Sequence, residues 1–250
     1  MFPSIRSAIA FLTILPIGLP HDLPQQRPGQ SAAFFPLAGW VIGGVLAGGA
    51  WLAGLAHLPA SVTAVLLVAL SAWFTRGLHL DGWADLLDGL GGGFEPERRL
   101  AIMKDSATGA FGVIGLVLLL GLKVVCLAAL IDRAGMMDLL LVVAAVPVVA
   151  RWAMIVLCFK TRYPRQSGTG HSFVGQLGWR DLALGGLFVL PVLGWSWAIG
   201  LTLIAAGQLP GLWLRFKAAK ALGGITGDVL GACCELGEAC ALLGVLFLFL

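Results

Sequence analysis

Apolar residues run almost without interruption over positions 34–57, 60–78, 110–131 and 138–159. Each stretch approaches or exceeds the roughly twenty residues needed to cross a hydrocarbon core. Residues 182–214 carry no charge but are too long for one span and short for two. A last apolar stretch runs from 224 to 250. A loop from Lys160 to Arg180 holds four basic residues, and a second, over 215–223, holds Arg215, Lys217 and Lys220. If both groups face the cytoplasm, an even number of crossings separates them. Two short helices, broken between Pro191 and Gly200, satisfy this. The expectation is an all-α bundle of about seven transmembrane helices in a single domain over residues 1–250, with the N-terminus cytoplasmic and the C-terminus outside. On that scheme Arg133 is the lone basic loop residue on the far side.

Composition agrees with this pattern. Of the 250 residues, 59% are hydrophobic and 12% charged, and the mean hydropathy is +0.95, whereas soluble chains carry about a quarter charged residues. The net charge of +3 is loop charge that reports orientation, so nucleic-acid binding is not supported. The five cysteines show no ligand spacing and read as packing residues. Residues Met1–Pro20 lack a small-residue cleavage site, and Pro16 and Pro20 interrupt them, so they read as a retained interfacial or partly inserted helix. Among the 35 glycines, Gly44, Gly48 and Gly49 have the spacing of close helix packing.

Against this background two acidic clusters stand out. Asp81, Asp85 and Asp88 fall at i, i+4 and i+7, on one face of a helix. Their mutual repulsion is relieved by a divalent cation, and Mg²⁺ commonly takes one or two carboxylates and completes its shell with substrate phosphate. The alternative is a solvated acidic helix end paired with Arg76, Arg98 or Arg99. His79 is a candidate base or phosphate donor. Gly91, Gly92 and Gly93 offer either backbone N–H groups to a phosphate or a flexible helix end. Beyond them Arg98, Arg99, Lys104, Asp105 and Ser106 form a mixed-charge segment able to clamp phosphates.

The second cluster, Asp228, Glu235 and Glu238, occupies one face of the last apolar helix. Glu235 would lie about 16 Å into the membrane, where an unpaired carboxylate is costly. Arg151 is the candidate partner of these carboxylates, either within a functional site or as a structural pair. Carboxylates and cations together point to metal-dependent phosphoryl transfer or an ion path.

At these residues the sequence resembles the cobalamin synthase family, the adenosylcobinamide-GDP ribazoletransferases. The resemblance rests on FLTILP at Phe11–Pro16, FFPLAGWVIG at Phe34–Gly43 and GLHLDGWADLLDGLGGG at Gly77–Gly93. ERRLAIMKDSATGAFG at Glu97–Gly112, Arg151-Trp152 and GGITGDVLGACCELGEA at Gly223–Ala239 complete it. It implies a multi-pass enzyme of the bacterial inner membrane that joins adenosylcobinamide-GDP to alpha-ribazole or its 5'-phosphate and releases GMP, with Mg²⁺ required. Asp81, Asp85 and His79 would then be catalytic, and Asp81, Asp85, Asp88 and Asp228 would hold metal. Arg76, Arg98, Arg99, Lys104, Asp105, Ser106, Arg151 and Glu235 would bind substrate. Besides lipid, a second copy of the chain or other enzymes of the pathway are candidate partners. Two departures stand out: Ile14 replaces a frequent Arg, and residues 160–175 match only loosely. A CDP-alcohol phosphotransferase would need an Asp-x-x-Asp-Gly-x-x-Ala-Arg motif that Asp81–Asp85 does not supply. A transporter relaying ions through Glu235 and Glu238 would not need an acidic triad beside basic residues.

Overall fold

A computed structural model describes residues 2–17, 29–194 and 196–250; Pro20 lies outside them. The chain folds into helices α1 (Phe2–Leu12), α2 (Phe35–Leu55), α3 (Ala60–Phe74), α4 (Leu78–Gly92) and α5 (Pro96–Ile102). Then come α6 (Ala110–Arg133), α7 (Met136–Cys158), α8 (Trp179–Leu187), α9 (Trp197–Leu222) and α10 (Gly227–Leu246). Five of them, α2, α6, α7, α9 and α10, are long and apolar enough to cross a membrane. The pair α3 and α4 passes the same test together but bends by 90°. This is a multi-pass membrane protein built as a helical bundle.

Local chemistry sets the breaks. Arg76 and Gly77 both adopt left-handed backbone, at φ 56° and 63°, and this turns α4 across the bundle end. Gly223, at φ 76°, closes α9. The basic stretch Arg215–Lys220, expected as a loop, is the last part of the 26-residue α9. Its long side chains reach the bundle end without a break in the helix. Instead of two short helices, residues 182–214 form part of the nine-residue α8, a 3₁₀ turn at Leu190–Leu193 and the first two-thirds of α9. The break lies where it was expected, at Pro191.

Close backbone approaches fix which helices neighbour one another. A Cβ at Gly39 would meet Val148 at 2.7 Å, and one at Gly43 would meet the Ala144 carbonyl at 2.0 Å. So α2 and α7 run antiparallel, backbone against backbone at these two glycines. Gly44 and Gly48, singled out by their spacing, have open space beside them; the packing register falls one position earlier. Gly207 faces Val149 and Gly211 faces the Ala153 carbonyl, which makes α7 and α9 parallel. The chain must therefore return along the bundle between them, through α8 and its 3₁₀ turn.

This path gathers α4, α5, the starts of α2, α6 and α10, the ends of α3, α7 and α9, and the 159–178 loop at one end. The short α1 packs there too, with Ala8 and Leu12 fully buried. The Ile14 N–H donates to the Phe74 carbonyl at 2.9 Å. Arg133 ends α6 at the opposite pole, as the charge pattern implied.

Candidate active site

Helix α4 lies across the first turns of α6 and α10 and outside the five long spans. It seats on α10 through Gly82, where a Cβ would come within 2.9 Å of the Asp228 Cα. That approach brings the two acidic clusters together. Arg165, from the 159–178 loop, forms an ion pair with Asp228 at 3.0 Å, and the Thr226 hydroxyl donates to the same carboxylate at 3.3 Å. Half-buried Asp85 feels this crowding: burial first, then Asp81 and Asp228, push its pKa up to about 7 against the opposing pull of Arg165. Arg165 is the cation that acts on both Asp85 and Asp228.

Asp81 lies on the rim of two cavities. One, of about 550 Å³, also touches Arg76, Thr108 and, on α6, Leu116 and Leu120. The other, of about 170 Å³, runs inward past Asp228 to His79, between Phe11, Phe35 and Phe173. His79 is 3% exposed, and neither ring nitrogen has a hydrogen-bond partner.

The remaining predicted residues are placed differently. Asp88 is buried, and its two oxygens accept the N–H groups of Gly109 and Gly112 at 2.7 and 2.8 Å. It caps the start of α6 from outside that helix. Arg99 donates to the carbonyls of Gly93 (2.9 Å) and Ala221 (3.0 Å), tying the loop to α9. Arg76 donates to the Ala10 carbonyl at 3.0 Å. Asp105 accepts the Ala107 N–H at 3.0 Å in a turn. Arg98, Lys104 and Ser106 are exposed at the same bundle end. Gly91 and Gly92 remain helical, and Gly93 caps α4.

Deeper in, the Arg151 and Glu238 side chains form an ion pair, as the sequence suggested. Lys123 of α6, which the sequence reading passed over, lies 2.5 Å from Glu235 and 2.7 Å from Glu238. Two cations and two carboxylates, each 6% exposed or less, thus join α6, α7 and α10 without net charge. Arg165 and Phe173 were missed as well, although the loop carrying them was known to be basic.

The family profile of cobalamin-5-phosphate synthase matches residues 4–246. The chain belongs to this family. Among its relatives, an adenosylcobinamide-GDP ribazoletransferase of Syntrophobacter fumaroxidans is 41% identical over 95% of this chain and 96% of its own. One of Geotalea daltonii is 40% identical over 94% of each chain. No solved structure matches. The family's acidic stretches in this chain, Gly77–Gly93 and Gly223–Ala239, are the two that Gly82 and Asp228 bring into contact.

Among the described residues no three His, Cys, Asp or Glu side chains stand close enough to hold a metal unaided. A hard cation that takes only one or two carboxylates and completes its shell with phosphate and water would ask less of the site, and Asp81 with a neighbouring carboxylate would meet that need.

Proposed function

We propose that the chain joins adenosylcobinamide-GDP to alpha-ribazole or its 5'-phosphate with release of GMP, at the cytoplasmic face of a bacterial inner membrane. The observation that carries this reading is Asp81 on the shared rim of two cavities, with Asp85 and Asp228 beside it. Two substrates that must meet at one phosphorus need that arrangement. The relatives' names supply the substrates.

In this reaction a ribose hydroxyl attacks the phosphorus nearest the corrinoid arm. A ribose O–P bond forms, the bond from that phosphorus to the bridging oxygen breaks, and GMP leaves with the oxygen. Asp81 accepts the hydroxyl proton. Asp81 and Asp85, one turn apart on α4 with Asp228 nearby, would hold Mg²⁺, which when bound supplies charge neutralisation to the diphosphate. Arg165 holds Asp228 in place and opposes the rise that burial imposes on its pKa, while exposed Arg98 and Lys104 are free to meet the nucleotide. The basic end of the bundle faces the cytoplasm under the positive-inside rule.

Reconstituted in liposomes with both substrates and Mg²⁺, the protein should release GMP and corrinoid product in equal amounts. A folded preparation that yields neither would remove this reading. An ion relay through Glu235 and Glu238 is less well supported, because Lys123 and Arg151 already neutralise both.

A further inference from the structure

We infer that the 170 Å³ cavity is the seat of the acceptor's planar aromatic base, with His79 as the hydrogen-bonding residue that recognises its unsubstituted ring nitrogen. The acceptor's identity rests on the proposed reaction, whereas the preference for a flat ring is set by the walls of the cavity.

The walls are unusual for a site rimmed by carboxylates. Phe11, Phe35 and Phe173 form one aromatic group, with ring centroids 6.0 Å apart for Phe11 and Phe35, 5.5 Å for Phe11 and Phe173, and 5.4 Å for Phe35 and Phe173. Leu78, Met154 and Leu230 complete the apolar lining. Rings in offset or tilted packing at these distances favour another flat ring. An apolar cavity of about 150 Å³ accommodates benzene, so this one suits a ring system but not a corrin.

His79 decides which ring. A buried polar nitrogen left without a partner is destabilising by roughly 1–3 kcal/mol, and here both are unpartnered. The ring faces a cavity, so a ligand atom is the missing partner. The imidazole, buried and lining the cavity, has an N–H to donate to a ring nitrogen that enters it. A benzimidazole joined to ribose through one nitrogen presents a single acceptor, its other nitrogen, and is otherwise apolar. Guanine carries several donors and acceptors around its edge. Most would be buried unpaired here, at a cost for each group. The guanosine diphosphate half is therefore assigned to the larger cavity, where Arg76 and Thr108 are available.

Depth also fits. With the base against His79, the ribose lies toward Asp81 and Asp228 at the mouth, where its hydroxyl must react. Gly170 roofs the cavity and packs so closely on α10 that a Cβ would lie 2.9 Å from the Gly227 nitrogen. The 159–178 loop thereby supplies both a wall, through Phe173, and the cation on Asp228, through Arg165.

The test is equilibrium binding of alpha-ribazole and of GMP to the full chain in detergent, alongside KM values for both substrates. Phe173→Ala and His79→Phe should each weaken alpha-ribazole binding at least ten-fold and leave GMP binding within two-fold. His79→Gln, which keeps a donor, should recover part of the loss. GMP binding serves as the folding control. On the unaltered protein, an acceptor carrying a purine in place of benzimidazole should lose at least ten-fold in kcat/KM. Unchanged alpha-ribazole binding in both variants, a loss that falls on GMP instead, or equal use of the purine acceptor would overturn the inference. Alpha-ribazole bound as described but never converted would defeat the proposed reaction and leave the base site standing.

Discussion

Gly82 and Asp228 touch backbone to backbone: a methyl group at Gly82 would lie 2.9 Å from both the Asp228 Cα and its carbonyl oxygen. This contact, between residues 146 positions apart in sequence, sets the distance between the two acidic stretches. Gly82→Ala should push α4 off α10, lowering stability by about 1–3 kcal/mol and turnover by more than ten-fold. Gly44→Ala, facing open space, is the control and should be neutral or slightly stabilising. Thermal melting and GMP release measured on both variants check this, and equal behaviour of the two would mean that the contact does not shape the site.

Asp88 and Asp81 share a helix face, yet Asp88 caps α6 whereas Asp81 lines both cavities. Asp88→Ala leaves two N–H groups of α6 without acceptors, so stability should drop by about 0.5–2 kcal/mol. The Mg²⁺ concentration for half-maximal turnover should stay the same. Asp81→Ala should reverse the pattern, with turnover abolished and melting nearly unchanged. A Mg²⁺ titration of each variant distinguishes a cap from a ligand.

Much of this was readable from sequence, and the rest failed for identifiable reasons. Helical spacing correctly put Asp81, Asp85 and Asp88 on one face. However, seven residues carry Asp88 about 10 Å further along the axis, to the start of α6, and spacing alone does not say what waits there. The Arg151 partnership followed from the cost of a buried carboxylate. The same reasoning applied to Lys123, a lone cation within an apolar run, would have found Glu235 and Glu238. Gly39 and Gly43 could not be preferred to Gly44 and Gly48, because which face of α2 meets α7 is a tertiary fact. Arg165 and Phe173 sit in a loop whose course depends on that packing, as in the Ile225 N–H bond to the Arg162 carbonyl.

Crowding of Asp85 predicts a pH dependence. With its pKa at about 7, the carboxyl is neutral at pH 6 and ionised at pH 8. A neutral carboxyl holds a cation poorly, so turnover at limiting Mg²⁺ should rise across this window. Excess Mg²⁺ favours the ionised form and should move the rise to lower pH. Asp85→Asn should remove the limb and most of the activity. A pH–rate profile with the same midpoint at all Mg²⁺ concentrations would separate Asp85 from cation binding.

Lys123 holds two glutamates at once, which makes its removal more severe than a paired loss. Lys123→Met leaves Glu235 without its cation and Glu238 with Arg151 alone, inside the bundle. Breaking a buried pair in this way typically costs about 3–5 kcal/mol, so the melting temperature in detergent should fall markedly. Adding Glu235→Gln removes the stranded charge and should restore much of that loss, since Arg151 and Glu238 then balance. The reaction uses none of these four groups in the proposed scheme. Turnover per folded molecule should therefore stay within a few-fold in the double variant. A double variant that melts like the wild type but releases no GMP would instead place the buried network in the chemistry, and would reopen the reading of Glu235 as a functional carboxylate.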